Sequence, residues 1–298
     1  MSEAPAKVIL FGEHAVVYGE PGIAIPISAL KTSAFFENNI HNAFSIQSAP
    51  LGMDLNYLEL ADDHPLKKLI VLLMKEFGIT SLPEKKLRIE SAIPIASGLG
   101  SGAACSVAVI RAFAEEYQKS ISTQRISEIA FEIEKIYHGT PSGLDNTVIS
   151  FGVPIYFIKN QPFQFIRIKK PLNLLIVDTE IESNTAEVVK DIRDHYATFS
   201  PLIHEIGDIS RTAKTALEDG DIKLIGELMN KNHDLLKRLT VSSPELDYLY
   251  EIAIEQGAIG AKLTGSGRGG NIIALVEEED QLAYLRQALQ NKGAKVLN

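Results

Sequence analysis

The sequence predicts an α+β chain folded as two domains. Its 298 residues are about twice the roughly 150 expected of a single domain. Strand-like and helix-like runs are mixed along it rather than strictly alternating. Its last third reads strand, helices, strand, strand, helix, strand, the order of a small α+β sandwich.

The elements follow in chain order. Ala6 to Gly12 reads as a strand and Gly22 to Ser28 as a second, with the polar-tipped loop from Glu13 to Pro21 between them. Further strands are expected at Lys31 to Glu37 and Phe44 to Ser48. Pro65 to Phe77 places Leu66, Leu69, Ile70, Leu73 and Phe77 on one face at helical spacing. Leu87 to Ser91 alternates as a strand does. Helices are expected over Gly102 to Tyr117 and Thr123 to Tyr137, the second burying a stripe of Ile126, Ile129, Ala130, Ile133 and Tyr137. His138 to Asp145 is dense in turn formers and reads as a loop. Strands return at Val148 to Ile149 and Pro154 to Ile158. A composition shift between Gln161 and Pro171 sets the expected boundary, with a first domain over 1–165 and a second over 166–298. The second opens on an apolar strand, Leu172 to Asp178. Helices at Thr185 to Phe199, Pro201 to Glu218, Ile222 to Leu239 and Glu245 to Gln256 come next. Then come strands Gly260 to Leu263 and Asn271 to Val276 around a glycine turn, a helix at Gln281 to Gln290, and a strand at Ala294 to Leu297.

Acidic residues outnumber basic ones, 38 to 29, for a formal charge of −9. That argues against nucleic acid or an anionic membrane as the main partner, but leaves room for a small anionic substrate in a locally basic site. The single cysteine, Cys105, can form no internal disulfide and lies in an apolar helical run, as a core residue would. This fits a reducing, cytoplasmic setting. Glu3, Lys7, Glu13 and His14 interrupt any signal-peptide core, and no apolar run approaches a membrane span. A homodimer is the base-rate expectation from symmetry.

Four segments carry chemistry. The first is Ile93 to Ala104, where Gly98, Gly100 and Gly102 and the serines Ser97 and Ser101 link a strand to a helix start. Such a loop lets the backbone approach an anion, and the first helical N–H groups hold it. An ordinary left-handed turn into a helix would look similar, and no lysine follows the last glycine as it would in a Walker A loop. The second segment is Pro5 to Gly19, with Lys7 at the start of a strand and Glu13 and His14 past its end. A solvated strand-edge lysine and a locally satisfied histidine are the ordinary alternatives. The third, Gly139 to Asn146, holds Asp145, which reads equally as a turn residue. Eleven residues upstream, Glu134 sits near a helix C-terminus, where a carboxylate is unfavourable without a cation. Bound Mg²⁺ and plain solvation are both open there. The fourth, Gly260 to Asn271, is a second strand-flanked glycine loop, which a hairpin needing positive φ would also explain.

Together these segments resemble the GHMP small-molecule kinases, and within them the mevalonate-kinase branch. Pro5 to Gly19 is similar to that branch's opening motif almost residue for residue. Pro94 to Ala104 is similar to the family's atypical phosphate loop and Lys262 to Gly270 to its third, glycine-rich motif, and Pro-Ser-Gly-Leu-Asp at 141–145 also matches. The resemblance runs from residue 5 to about 290. It implies a ribosomal-protein-S5-domain-2-like N-terminal domain and a ferredoxin-like C-terminal one. It also implies ATP-dependent phosphorylation of the 5-hydroxyl of mevalonate, with Mg²⁺. Asp145 would be the catalytic base, and Lys7 would lie near it and the acceptor hydroxyl. Glu13 and His14 would contact mevalonate. ATP would be held by Pro94, Ser97, Gly98, Leu99, Gly100, Ser101, Gly102 and Ala103 with Gly265, Ser266 and Gly267. Glu134 and Ser101 would hold the metal. One departure stands out: Gly102 occupies the place of the family's second loop serine, which reaches the metal. A sibling kinase for phosphomevalonate, homoserine or a sugar, and a non-catalytic nucleotide binder, are the competing readings. The lack of extra basic residues around His14 counts against a phosphorylated acceptor. The joint presence of Lys7, Glu134 and Asp145 counts against a binder.

Overall fold

A computed structural model describes residues 1–39, 43–138 and 141–298, with the side chains of Tyr137 and His138 outside the description. The elements are β1 (Ser2–Phe11), β2 (Gly22–Asn38), β3 (Ser45–Ser48), β4 (Met53–Asn56), α1 (Pro65–Phe77), β5 (Lys85–Ser91), α2 (Ser101–Glu116), α3 (Thr123–His138) and α4 (Leu144–Phe151). They continue with β6 (Ile155–Phe157), β7 (Gln164–Phe165), β8 (Asn173–Asp178), α5 (Thr185–Asp194), α6 (Tyr196–Asp219), α7 (Ile222–Arg238), α8 (Pro244–Glu255), β9 (Gly260–Thr264), β10 (Asn271–Val276), α9 (Asp280–Asn291) and β11 (Lys295–Val296). The mixed α+β class is the expected one.

Some local expectations are corrected. The two strands expected between Gly22 and Glu37 are one, β2. Its Pro26 lies between the stretch paired with β6 and the stretch paired with β5, where a missing N–H breaks neither ladder. Val148 and Ile149 are helical, not extended. Gly143 opens α4 in the left-handed conformation, and Leu144 and Val148 are one turn apart and both fully buried. The helix begun at Thr185 ends at Asp194, and Pro201 lies inside α6 instead of starting it.

The described chain forms two compact units, each assembled from separate stretches. The first takes Met1–Ala6, Pro26–Ile95 and Gly100–Gly152; the second takes Lys7–Ile25, Ala96–Leu99 and Val153–Asn298. The boundary expected at residue 165 falls inside the second unit, which also gathers two short N-terminal stretches.

In the first unit the strands lie in the order β4-β3-β5-β2, with β3 parallel to β5 and the other pairs antiparallel. Helix α1 starts at Pro65 under the His64 ring, which accepts from Leu66 N, and ends at left-handed Gly78. Its five expected core residues are all buried, each worth about 1.5–3 kcal/mol relative to exposure. Ile126, Ile129, Ala130 and Ile133 of α3 are buried as their spacing requires, while the expected contribution of Tyr137 lies outside the described residues.

In the second unit the sheet runs β11-β8-β10-β9, antiparallel throughout. This is the strand order of the expected ferredoxin-like sandwich. Its β9 edge is not left open. Asn230 of α7 accepts from Ala261 N (2.9 Å) and donates to Ile259 O (3.2 Å), and His233 Nδ1 accepts from Leu263 N (3.3 Å). A helix therefore satisfies edge groups that would otherwise recruit another strand. The approach needs two glycines face to face: a Cβ on Gly260 would lie 2.5 Å from Gly226 Cα. Gly260→Ala should therefore destabilise the protein by about 1–3 kcal/mol, seen as a lower urea midpoint.

Candidate active site

In the second unit the site begins where β1 stops. Gly12, at φ +93°, sits so close to the returning chain that a Cβ would be 2.4 Å from Pro21 O. That tight turn presents Glu13 and His14 inward, ahead of the short 3-10 helix Ala15–Tyr18. All three polar residues of the opening motif are buried: Lys7 is 2% exposed, Glu13 0% and His14 6%. The solvated-lysine alternative is thereby removed. Lys7 N donates to Leu99 O (3.0 Å), tying β1 to the first glycine loop.

Glu13 Oε1 is ion-paired with Lys262 of β9, itself fully buried, and Lys262 Nζ also donates to Leu263 O (2.6 Å). Burial pushes the Glu13 carboxyl up and the Lys262 ammonium down, and their mutual contact resists both shifts. Lys7 adds a second positive field at Glu13. The Nε2 of His14 meets Ser266 O at 2.9 Å, so Nε2 carries the proton and Nδ1 is an acceptor. Burial holds the His14 pKa down to about 4.

Lys262 lies within the third glycine-rich segment but has no role in the expected site. Its signal was in the sequence: one lysine in the middle of a short strand otherwise free of charge, which burial permits only with a partner.

The two glycine loops meet within this unit. Gly98 (φ +78°) faces Gly265 (φ +90°), and a Cβ on Gly265 would be 3.1 Å from Gly98 Cα. Asn271 Nδ2 donates to Ser97 O (2.7 Å). The Oγ of Ser266 contacts the hydroxyls of Ser183 (2.8 Å) and Thr185 (3.0 Å). Arg268 pairs with Asp191 (2.5 Å), and its N–H donates to Val241 O (2.7 Å). The loop from Gly265 to Gly270 is thus a β9–β10 connection with positive φ, as the plain alternative had it, and also the support of the first glycine loop.

The first unit carries the other expected residues. Gly100 is the left-handed N-cap of α2, with no side chain capping the helix. Ser101 and Gly102 lie half-buried in its first turn, and Ala103 is buried. The leading N–H groups of this sixteen-residue helix have no side-chain cap, as the expected anion-holding role requires. Pro94 is half-buried before it. Glu134 on α3 is 4% exposed, so it is not a solvated glutamate. Asp145 is half-buried in the first turn of α4, where the helix dipole favours a carboxylate. Its neighbour Asn146 donates to Ser127 O (3.1 Å) and Oγ (2.9 Å), pinning α4 to α3. Ser127 is seven residues before Glu134, so both face the same side of α3. Cys105 in α2 has its thiol pushed up to about 11 by burial, which keeps it protonated and unreactive.

Among the described residues no three His, Cys, Asp or Glu groups are gathered to hold a metal. The expected donors, a carboxylate and a hydroxyl, are hard oxygens. They suit Mg²⁺ brought in on phosphates, which takes one or two carboxylates and keeps its waters.

The two buried histidines set a pH dependence of stability. His233, stacked on Tyr250 at 4.1 Å, is likewise held down to about 4 by burial. Both are neutral when folded and titrate near 6.5 when unfolded. The unfolded chain then binds more protons between these values, so stability falls as pH drops from about 6.5 to about 4. Urea midpoints across that range check this, and His233→Gln should flatten the slope.

The paired glycine loops and buried polar groups of the second unit, and the glycine-capped start of α2 in the first, each agree with a small-molecule kinase of the GHMP class. The chain belongs to that family: GHMP kinases N terminal domain matches residues 64–152 and GHMP kinases C terminal matches residues 213–295. The mevalonate kinase of Methanocaldococcus jannaschii is 32% identical over 99% of this chain and 97% of that protein. The crystal structure of Methanococcus jannaschii mevalonate kinase superposes with a TM-score of 0.87 at 30% identity, covering 99% of this chain and 95% of that one. That of L. major mevalonate kinase in complex with R-mevalonate gives 0.85 at 32% identity, covering 98% and 91%.

Proposed function

We propose that this enzyme transfers the γ-phosphoryl group of ATP to the 5-hydroxyl of mevalonate. The observation that carries the reading is the likeness to mevalonate kinases along almost the whole of both chains. The buried Lys7, Glu13 and His14 support it, since such burial of polar groups is maintained only for a partner.

Phosphoryl transfer has a loose transition state, so positioning and charge neutralisation do most of the work. The glycine loops and the start of α2 cradle the triphosphate with backbone donors. The ammonium of Lys7 counters charge on the transferring group and favours the ionised acceptor. Asp145 takes the hydroxyl proton. Glu13 and His14 hold the acceptor, with His14 neutral and presenting Nδ1. Glu134 and Ser101 are the residues proposed to hold Mg²⁺, which when bound neutralises phosphate charge. No helix among the described residues is long and apolar enough to cross a membrane, and the single cysteine supports a cytoplasmic enzyme.

Coupled ADP release with mevalonate and Mg²⁺ATP is the test. Turnover with mevalonate well above that with phosphomevalonate or homoserine is the expected result, and none with mevalonate overturns the reading. Gly265→Ala should raise the KM for ATP about tenfold, the factor for 1.4 kcal/mol. It places a side chain at positive φ against the loop that carries Gly98.

A further inference from the structure

We propose that Lys262 is a positioning residue for the acceptor alcohol: its ammonium holds one oxygen of Glu13 and leaves the other, Oε2, to accept a substrate hydroxyl. The inference rests on the kinase reading for the identity of that alcohol.

Every residue of β9 is buried, so an ammonium in its middle must meet acceptors there. It meets two, Glu13 Oε1 and its neighbour's carbonyl, Leu263 O. Lys262 and Glu13 are 249 residues apart in the chain, and both are fully buried. A purely structural pair would satisfy both carboxylate oxygens. Here Oε2 is buried and has no hydrogen-bond partner among the described residues. A carboxylate oxygen left without a donor is costly in a folded interior. It is what a binding acceptor looks like before its ligand arrives.

The charge on that oxygen depends on Lys262. The groups that act on the Glu13 carboxyl are Lys262 from β9, Lys7 from β1 and Glu13's own backbone N–H. Burial drives Glu13 toward the neutral acid, and Lys262 is the largest opposing influence. A neutral Glu13 would donate a proton where a hydroxyl needs an acceptor, reversing the polarity of the contact. Lys262 thus fixes both the rotamer and the acceptor character of Glu13 without itself needing to touch substrate.

The variants Lys262→Met, Lys262→Arg and the double variant Lys262→Met/Glu13→Gln test this. Lys262→Met is expected to raise the KM for mevalonate roughly 10- to 100-fold, the loss of a hydrogen bond to a charged group, with the KM for ATP unchanged. Lys262→Arg recovers part of the loss. At neutral pH, infrared difference spectra against the double variant should show a carboxylic-acid carbonyl stretch for Glu13 in Lys262→Met but not in wild type (its own reference being Glu13→Gln). The double variant has no uncompensated buried charge, so its urea midpoint should recover while its KM for mevalonate stays high. Recovery of both would make the pair structural only and overturn the inference, as would an ionised Glu13 in Lys262→Met. The infrared reading does not depend on turnover. Failure of wild type to phosphorylate mevalonate sinks the kinase reading, whereas an unchanged Glu13 spectrum sinks this one.

Discussion

Replacing Asp145 with Asn should lower kcat by about 10²–10⁴, the usual contribution of a positioned general base, while ATP affinity holds. The substitution is nearly isosteric, and neighbouring side chains help to hold α4 in place. Helix α4 is opened by Gly143, with Thr147 Oγ1 donating to Gly143 O (2.6 Å), and is pinned to α3 through Asn146 and Ser127. The amide would therefore stand where the carboxylate stands. What it lacks is a proton acceptor of the right strength and the negative charge that the N-terminus of α4 favours. A coupled assay gives kcat, and calorimetry with a non-hydrolysable ATP analogue gives affinity. An Asp145→Asn enzyme of near-normal kcat would remove Asp145 from the role of base. One that lost ATP binding in parallel would point to misfolding of α4, and a thermal midpoint separates the two.

The architecture was largely legible because its signals are local. The apolar stripe of α1 and the strand-helix-strand order of the second unit follow from spacing and turn residues alone. What escaped was long-range. Val148 and Ile149 look extended in isolation, and only Gly143 before them and the buried face shared with Leu144 make them helical. Pro26 looks like a break, yet β2 runs through it because its ladder partners change there. The units are discontinuous in sequence, with residues 7–25 and 96–99 grouped with the C-terminal half, which no composition shift announces. The site divides the same way. Lys7, Glu13, His14 and the glycine loops stand out as motifs. Lys262 opens the third motif but carries no visible role there, because its partner is a carboxylate 249 residues away. The supports of the glycine loops were equally invisible: Asn271 reaching Ser97, and Arg268 reaching Asp191.

Lys7→Met should cut kcat/KM by about 10²–10³, or roughly 2.7–4 kcal/mol, the scale for removing one preorganised charge-stabilising donor. The effect should fall mainly on kcat, because charge on the transferring phosphoryl group develops at the transition state rather than in the bound ATP. The fold should tolerate the change. Lys7 is 2% exposed, so methionine fills most of its aliphatic volume, and the backbone bond from residue 7 to Leu99 is kept. Electrostatics favour the same outcome for stability. Lys7 depresses the Lys262 ammonium and supports the Glu13 carboxylate, so its removal eases one buried charge while burdening the other. A thermal midpoint measured beside the kinetics separates lost catalysis from lost stability. Lys7→Arg should not rescue. The guanidinium keeps the charge, but it is larger and planar, and a site this closed cannot take it without displacing its neighbours. Full activity in Lys7→Arg would mean that any cation in this region suffices. The transferring phosphoryl group would then be met by a diffuse positive field rather than by one placed ammonium.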